Sequence, residues 1–206
     1  MTKETRLLVK VCGLRDSQNI GEIALLGVDW IGMIFWPRSK RFVAAPPTPL
    51  PDNVRRVGVF VDASLEDVHQ HIHDYGLDLV QLHGQESPDY VNDLKPFPVI
   101  KAFNIATADD LLQTKAYEGI ADYFLFDTKG KAVGGNGEKF DWSVLNHYQG
   151  TTPFLLSGGI GPDDAESVRT FRHPKCIGVD LNSRFEIEPA LKDVGEIKRF
   201  LEKIKQ

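Results

Sequence analysis

Eight short runs of apolar, β-branched or aromatic residues recur along the chain, and their spacing constrains the fold more than any other feature. They cover 7–11, 30–35, 57–61, 77–82, 98–103, 123–126, 154–156 and 176–181, with starts 20 to 31 residues apart. A gap of that size holds one crossover helix, which a parallel βαβ unit requires. Most of the runs are apolar throughout rather than alternating, as strands covered on both faces are. An α/β fold follows, and two architectures satisfy it: a closed (β/α)8 barrel and an open doubly wound sheet. The repeat of eight favours the barrel, but strand order is invisible to periodicity. No shift in composition and no linker divides the chain, so a single domain over 1–206 is expected.

The gaps carry helical signals. Residues 17–26 place Ile20, Ile23, Ala24 and Leu26 on one face. Residues 64–75 open with Ser64 three places before Asp67, a pattern suited to an N-cap. Residues 107–117 read as a shorter helix. Residues 162–171 begin with Pro162 and two acids, which suit a first turn and the positive end of the helix dipole. Residues 190–204 put Val194, Ile197, Leu201 and Ile204 on one stripe. One gap breaks the rule. Pro46, Pro47, Pro49 and Pro51 crowd the stretch after the second strand. Each lacks a donor and clashes with the preceding turn, so the second outer helix is expected to be missing or reduced.

Charge narrows the partners. Lys and Arg number 24 against 29 Asp and Glu, for a net charge of −5. With no basic block, there is no electrostatic footprint for nucleic acid or anionic lipid. No apolar run approaches the ~18 residues of a membrane span. The polar start, Met1 to Arg6, has no cleavage-like site, which makes the cytoplasm the expected location. The two cysteines, Cys12 and Cys176, form no C-x-x-C pair, and each is explained singly.

In both architectures ligands gather at the carboxyl ends of the strands. The residues there are Cys12-Gly13, the basic loop Arg38 to Arg41, Gln81 and His83, Asp127, Ser157-Gly158-Gly159, and Asp180 with Asn182, Ser183 and Arg184. Polar residues at strand ends also occur simply because they meet solvent. The glycine pair is the clearest anion signal, since glycines let backbone amides approach a phosphate closely. Asn182 and Ser183 would complete such a site. An arbitrary buried cysteine is more often a small core residue. Lys10, however, shares a strand face with Cys12, and a nearby ammonium favours the thiolate. Cys176 sits at the opening end of its strand and reads as structural. Asp127 ends a very apolar strand, where partial desolvation raises a carboxyl toward a useful general acid. His69, His71 and His73 lack a third soft ligand and read as a solvated helix face rather than a metal site. Gly134-Gly135-Asn136-Gly137 reads as a mobile loop, not a dinucleotide fingerprint.

Taken together these segments resemble the phosphoribosylanthranilate isomerase family of tryptophan biosynthesis. The matching motifs are Lys10-Val11-Cys12-Gly13, Ser39-Lys40-Arg41-Phe42, Arg56 to Val61, Val80-Gln81-Leu82-His83-Gly84, Phe126-Asp127-Thr128, Phe140-Asp141-Trp142, Leu156-Ser157-Gly158-Gly159 and Val179-Asp180-Leu181-Asn182-Ser183. They occur in family order over nearly the full length. The resemblance implies a (β/α)8 barrel that performs an Amadori rearrangement of a phosphoribosylated anthranilate. By the family pattern Asp127 is the acid and Cys12 the base. Arg41 pairs with the anthranilate carboxylate, and Gln81, His83 and Asp180 lie on the substrate side. The resemblance also implies no metal and no organic cofactor. The expected partner is a small phosphosugar, with neither nucleic acid nor membrane, and the chain acts as a monomer or homodimer. Other phosphosugar barrels are the competing enzyme readings: a metal-dependent epimerase, or the histidine-pathway isomerase with a carboxylate in place of Cys12. A non-catalytic phosphometabolite-binding barrel needs neither Cys12 nor Asp127. The proline-rich stretch and Arg184 depart from the family pattern. Arg184 either adds a phosphate contact or points into solvent.

Overall fold

Each apolar run forms a strand in the computed structural model, which describes residues 6–46, 48–128 and 141–205. They are β1 (Leu8–Cys12), β2 (Trp30–Ile34), β3 (Arg55–Phe60), β4 (Leu79–Leu82), β5 (Val99–Ile105), β6 (Tyr123–Thr128), β7 (Phe154–Leu156) and β8 (Cys176–Leu181). All pair in parallel with their sequence neighbours, and β8 returns to pair with β1. The sheet is therefore a closed barrel, not an open doubly wound one. At the seam Leu8 lies opposite Gly178 and Lys10 opposite Asp180.

The two-residue period of a strand divides these residues between two environments. Trp30, Val57, Leu79, Ile100, Leu125 and Leu155 pack together inside the barrel. Their neighbours, such as Ile31, Val80, Phe124 and Leu156, face outward into the larger core beneath the helices. Nearer the carboxyl ends the inward positions change character. On β1 the series runs Leu8, Lys10, Cys12; on β4 it runs Leu79, Gln81, then His83 just past the strand. The barrel is thus plugged by hydrocarbon toward one end and lined by polar groups at the other.

The outer layer follows the helical signals with some changes. Helix α1 (Ser17–Ala24) is capped by Asp16, which accepts from the Asn19 amide at 2.8 Å. Helix α2 (Leu65–Tyr75) is capped by Ser64, as expected, and closed by Gly76 in the left-handed conformation at φ 56°. A short helix, α3 (Pro88–Asp93), was not anticipated; with six residues it is too brief to show a period. The expected 107–117 helix is a 3-10 helix over Ala108–Tyr117. A 3-10 turn at Pro162–Asp164 leads into α4 (Ala165–Thr170). The helix expected over 190–204 begins only at Val194, as α5 (Val194–Ile204), where Asp193 accepts from the Glu196 amide at 2.9 Å. Leu191–Lys192 (β10) instead pairs antiparallel with Glu186–Glu188 (β9). Among the described residues no helix lies between β2 and β3, in line with the proline content there.

Among the described residues no helix is long and apolar enough to cross a membrane.

The seam is packed closely enough to test. A Cβ at Gly178 would overlap the Leu8 carbonyl oxygen and lie 2.8 Å from the Leu8 Cβ. Neither backbone can yield without opening the β1–β8 pairing. Gly178→Ala is expected to cost about 1–3 kcal/mol of stability, as overpacking does. A urea midpoint equal to that of the parent would contradict this packing.

Candidate active site

The carboxyl ends of the strands open into a cavity of about 580 Å³. Every site residue nominated from the sequence reaches its wall. Cys12 comes from β1, Arg41 from the β2–β3 connection, Gln81 and His83 from β4 and its end, and Asp127 from β6. Ser157, Gly158 and Gly159 follow β7, and Asp180, Asn182 and Ser183 come from the end of β8. Cys176 lies apart: its Sγ is 3.6 Å from the Gly178 carbonyl oxygen, and burial pushes the thiol up to about 11. Arg184 is exposed and lies along Gly161, off the cavity wall. His69 and His73 are exposed, while His71 stacks among Phe35, Phe60 and Tyr75. Among the described residues no cluster of three or more His, Cys, Asp or Glu could hold a metal ion. The glycine-rich stretch 134–137 lies outside the described residues.

At the barrel seam Lys10 and Asp180 form a buried ion pair, Nζ to Oδ1 at 2.7 Å. The second Asp180 oxygen accepts from the Ser157 hydroxyl at 3.2 Å. Burial alone would lower the Lys10 ammonium, but Asp180 and Cys12 raise it and keep it charged. Cys12 sits beside this pair, in space that exists because β2 carries a glycine opposite: a Cβ on Gly32 would come within 2.7 Å of the sulfur. The sequence led us to expect a depressed thiol. The structure reverses that direction. Burial pushes Cys12 up, Lys10 pulls it down, and the carboxylate of Asp180 pushes it up again. The ammonium next to the sulfur is already paired with an anion, so its help to the thiolate is only partial.

A second charged cluster surrounds Arg41. Its Nε and Nη2 donate to the two carboxylate oxygens of Glu186 at 2.7 and 2.6 Å. Lys192, also buried, donates to Glu186 and to the Asn182 side-chain oxygen, each at 2.7 Å. Burial pulls the Lys192 ammonium down to about 8, against the pull of Glu186. Burial would raise the Glu186 carboxyl, but its bonds to Arg41 and Lys192 outweigh that and hold it below the usual range. Gly13 makes the approach possible. It adopts φ 79°, and a Cβ there would lie 2.6 Å from Arg41 Cδ and 2.8 Å from the Asn182 oxygen. Sequence reasoning missed both Glu186 and Lys192. A charged residue past a strand end reads as solvated, and only the β9–β10 hairpin turns these two inward.

Across the mouth, Gln81 Nε2 lies 3.0 Å from His83 Nδ1. With the amide donating, the histidine carries its proton on Nε2. That atom is 3.4 Å from Asp127 Oδ2, short of the alignment of a hydrogen bond. Gly158 and Gly159 follow with φ 83° and 67°, a backbone that favours glycine, and both line the cavity.

A polar cavity at the carboxyl ends of a closed barrel is the layout of a (β/α)8 barrel enzyme. The family model described as N-(5′-phosphoribosyl)anthranilate (PRA) isomerase matches residues 9–203. The chain is 50% identical over 206 residues to a protein named N-(5′-phosphoribosyl)anthranilate isomerase in Parabacteroides distasonis, covering 96% of this chain and 93% of that one. Its fold is similar to the crystal structure of the Thermus thermophilus phosphoribosyl anthranilate isomerase, with a TM-score of 0.85, 28% identity and coverage of 97% and 98%. It is also similar to a phosphoribosyl anthranilate isomerase solved in complex with reduced 1-(o-carboxyphenylamino)-1-deoxyribulose 5-phosphate, with a TM-score of 0.82, 28% identity and coverage of 97% and 99%. The chain belongs to the phosphoribosylanthranilate isomerase family.

The reversed direction at Cys12 is testable by chemistry. In a Cys176→Ser background, alkylation of Cys12 by iodoacetamide is expected to be slow at neutral pH. It should keep accelerating above the ordinary cysteine value of about 8.5. A rate that levels off below that pH would contradict a raised thiol.

Proposed function

We propose that this chain converts N-(5′-phosphoribosyl)anthranilate into 1-(2-carboxyphenylamino)-1-deoxyribulose 5-phosphate, an Amadori rearrangement in tryptophan biosynthesis, with Asp127 as general acid and Cys12 as general base. One observation carries the assignment of roles. A thiol from β1 and a carboxyl from β6 open into the same cavity, whose rim also holds the Gly158-Gly159 pair and Arg41.

The chemistry needs two proton transfers at different atoms. Asp127, in its neutral form, gives its proton to the furanose ring oxygen as the bond from C1′ to that oxygen breaks. The nitrogen lone pair closes a C1′=N double bond, giving a protonated Schiff base. The Cys12 thiolate then takes the proton from C2′, and the electrons move to form an enolamine with neutral nitrogen. C1′ gains a proton, the C2′ hydroxyl loses one, and the ketone remains. Asp127 has lost one proton and Cys12 has gained one, and solvent restores both. A raised thiol makes each thiolate a stronger base but leaves fewer of them. Lys10 limits that loss.

The remaining residues divide by charge. Ser157, Gly158, Gly159, Asn182 and Ser183 form the phosphate end, at the loops after the seventh and eighth strands where barrels commonly bind phosphate. Arg41 meets the anthranilate carboxylate, since a planar fork suits a carboxylate. Gln81 and His83 face the substrate from the cavity wall. Asp180 holds Lys10 beside the thiol and Ser157 beside the phosphate.

Substrate fluorescence in the presence of a chelator reads the turnover. Cys12→Ser and Asp127→Asn are each expected to lower kcat by at least about 100-fold in folded protein, the usual worth of a general acid or base. Near-parental turnover in either variant refutes that residue's role. Arg41→Ala is expected to raise KM far more than it lowers kcat, as loss of ground-state binding does. An unchanged KM counts against the carboxylate contact.

A further inference from the structure

We propose that Glu186 is a positioning residue for substrate recognition: it clamps Arg41 side-on, so that the remaining end of the guanidinium fork is presented to the anthranilate carboxylate. The inference rests on the role given to Arg41 above and extends it to a residue that the cavity does not expose.

The geometry is specific. A guanidinium offers five N–H donors in a fixed plane. Glu186 takes the Nε–Nη2 edge of Arg41, with both contacts at 2.7 Å or less. The donors left for a ligand are therefore those at the Nη1 end. Arg41 lines the cavity, while Glu186 lies behind it and off the wall. Glu186 thus acts through Arg41 and does not touch the substrate.

Glu186 is itself anchored on the far side. Its Oε1 accepts from Lys192 Nζ at 2.7 Å and from the Ala190 amide at 3.1 Å. Ala190 holds φ 74°, a left-handed conformation that a non-glycine residue rarely takes, and it forms the turn between β9 and β10. The hairpin after β8 therefore exists in the form that aims one carboxylate at Arg41. Two cations meet one carboxylate in this cluster, so an incoming carboxylate completes the charge balance rather than competing for it.

The two oxygens of Glu186 are unequal, and this makes a clean variant. Among the described residues, Oε1 accepts three bonds, from Arg41 Nε, Lys192 and Ala190, whereas Oε2 accepts one, from Arg41 Nη2. In Glu186→Gln the amide oxygen takes the Oε1 place and the NH₂ faces Nη2, donor against donor. The hairpin anchor and the Nε contact survive, while the Nη2 half of the clamp is lost and the guanidinium is no longer held in a two-point grip.

The test compares KM and kcat for the phosphoribosylated anthranilate with inhibition by ribulose 5-phosphate, which offers a phosphate and sugar but no carboxylate. Glu186→Gln is expected to raise KM about tenfold, on the order of one charge-assisted hydrogen bond, with kcat within about threefold. Inhibition by ribulose 5-phosphate should be unchanged. The double variant with Arg41→Ala should be no worse than Arg41→Ala alone. An unchanged KM, an equal weakening of ribulose 5-phosphate inhibition, or effects that multiply in the double variant would each overturn the inference. Should Glu186→Gln fail to fold, Arg41→Lys decides. One ammonium cannot serve as both clamp partner and ligand fork, so KM should rise nearly as far as in Arg41→Ala, and a KM within about threefold of the parent overturns the proposal. If Arg41→Ala itself leaves KM unchanged, the role of Arg41 fails, and the inference falls with it for that separate reason.

Discussion

A buried ion pair where the barrel closes ties the fold to its chemistry. Lys10 on β1 and Asp180 on β8 are register partners, so the pair forms only when the last strand returns to the first. Leaving either charge buried without the other would cost on the order of 3–5 kcal/mol. The same two groups touch the site. Asp180 accepts from Ser157 beside the glycine pair, and Lys10 stands next to Cys12. The thiol, the Ser157 to Gly159 loop and the seam are thus held by one short chain of charges, and the seam has no slack, as the close approach of Gly178 to Leu8 shows.

The rest of the mouth follows from eight parallel strands with a two-residue period. Their carboxyl ends share one rim, so residues remote in sequence become neighbours without long loops to carry them. Absent side chains matter as much as present ones. Gly32 leaves room for the Cys12 sulfur, and Gly13 leaves room for Arg41 to pass toward Glu186. The β9–β10 hairpin adds the part that the barrel alone does not supply, a second carboxylate and a buried lysine behind the arginine.

Much of this was legible in the residues. The eight strands announced themselves because strands buried on both faces are written as continuous apolar runs. The prolines from Pro46 to Pro51 announced that no helix lies between β2 and β3 among the described residues. Cys12, Asp127 and the Ser157 to Gly159 segment stood out because they interrupt hydrocarbon at strand ends. What stayed hidden was long-range. Closure between β1 and β8 leaves no local mark. The direction of the Cys12 shift comes first from a burial that no neighbour in sequence encodes, with a further push from Asp180, 170 residues beyond its partner Lys10. Glu186 and Lys192 were passed over because their types ordinarily face water. Short helices such as α3, and the 3-10 helix after Thr107, give too few turns for a period to emerge.

The central claim is that acid and base act on separate steps of one sugar. A substrate carrying deuterium at C2′ separates them most directly. In Cys12→Ser the removal of that proton should limit turnover, so a full primary isotope effect is expected. In Asp127→Asn ring opening should limit turnover, and the effect should vanish. Equal isotope effects in the two variants, or none in Cys12→Ser, would contradict the division of labour between the thiol and the carboxyl.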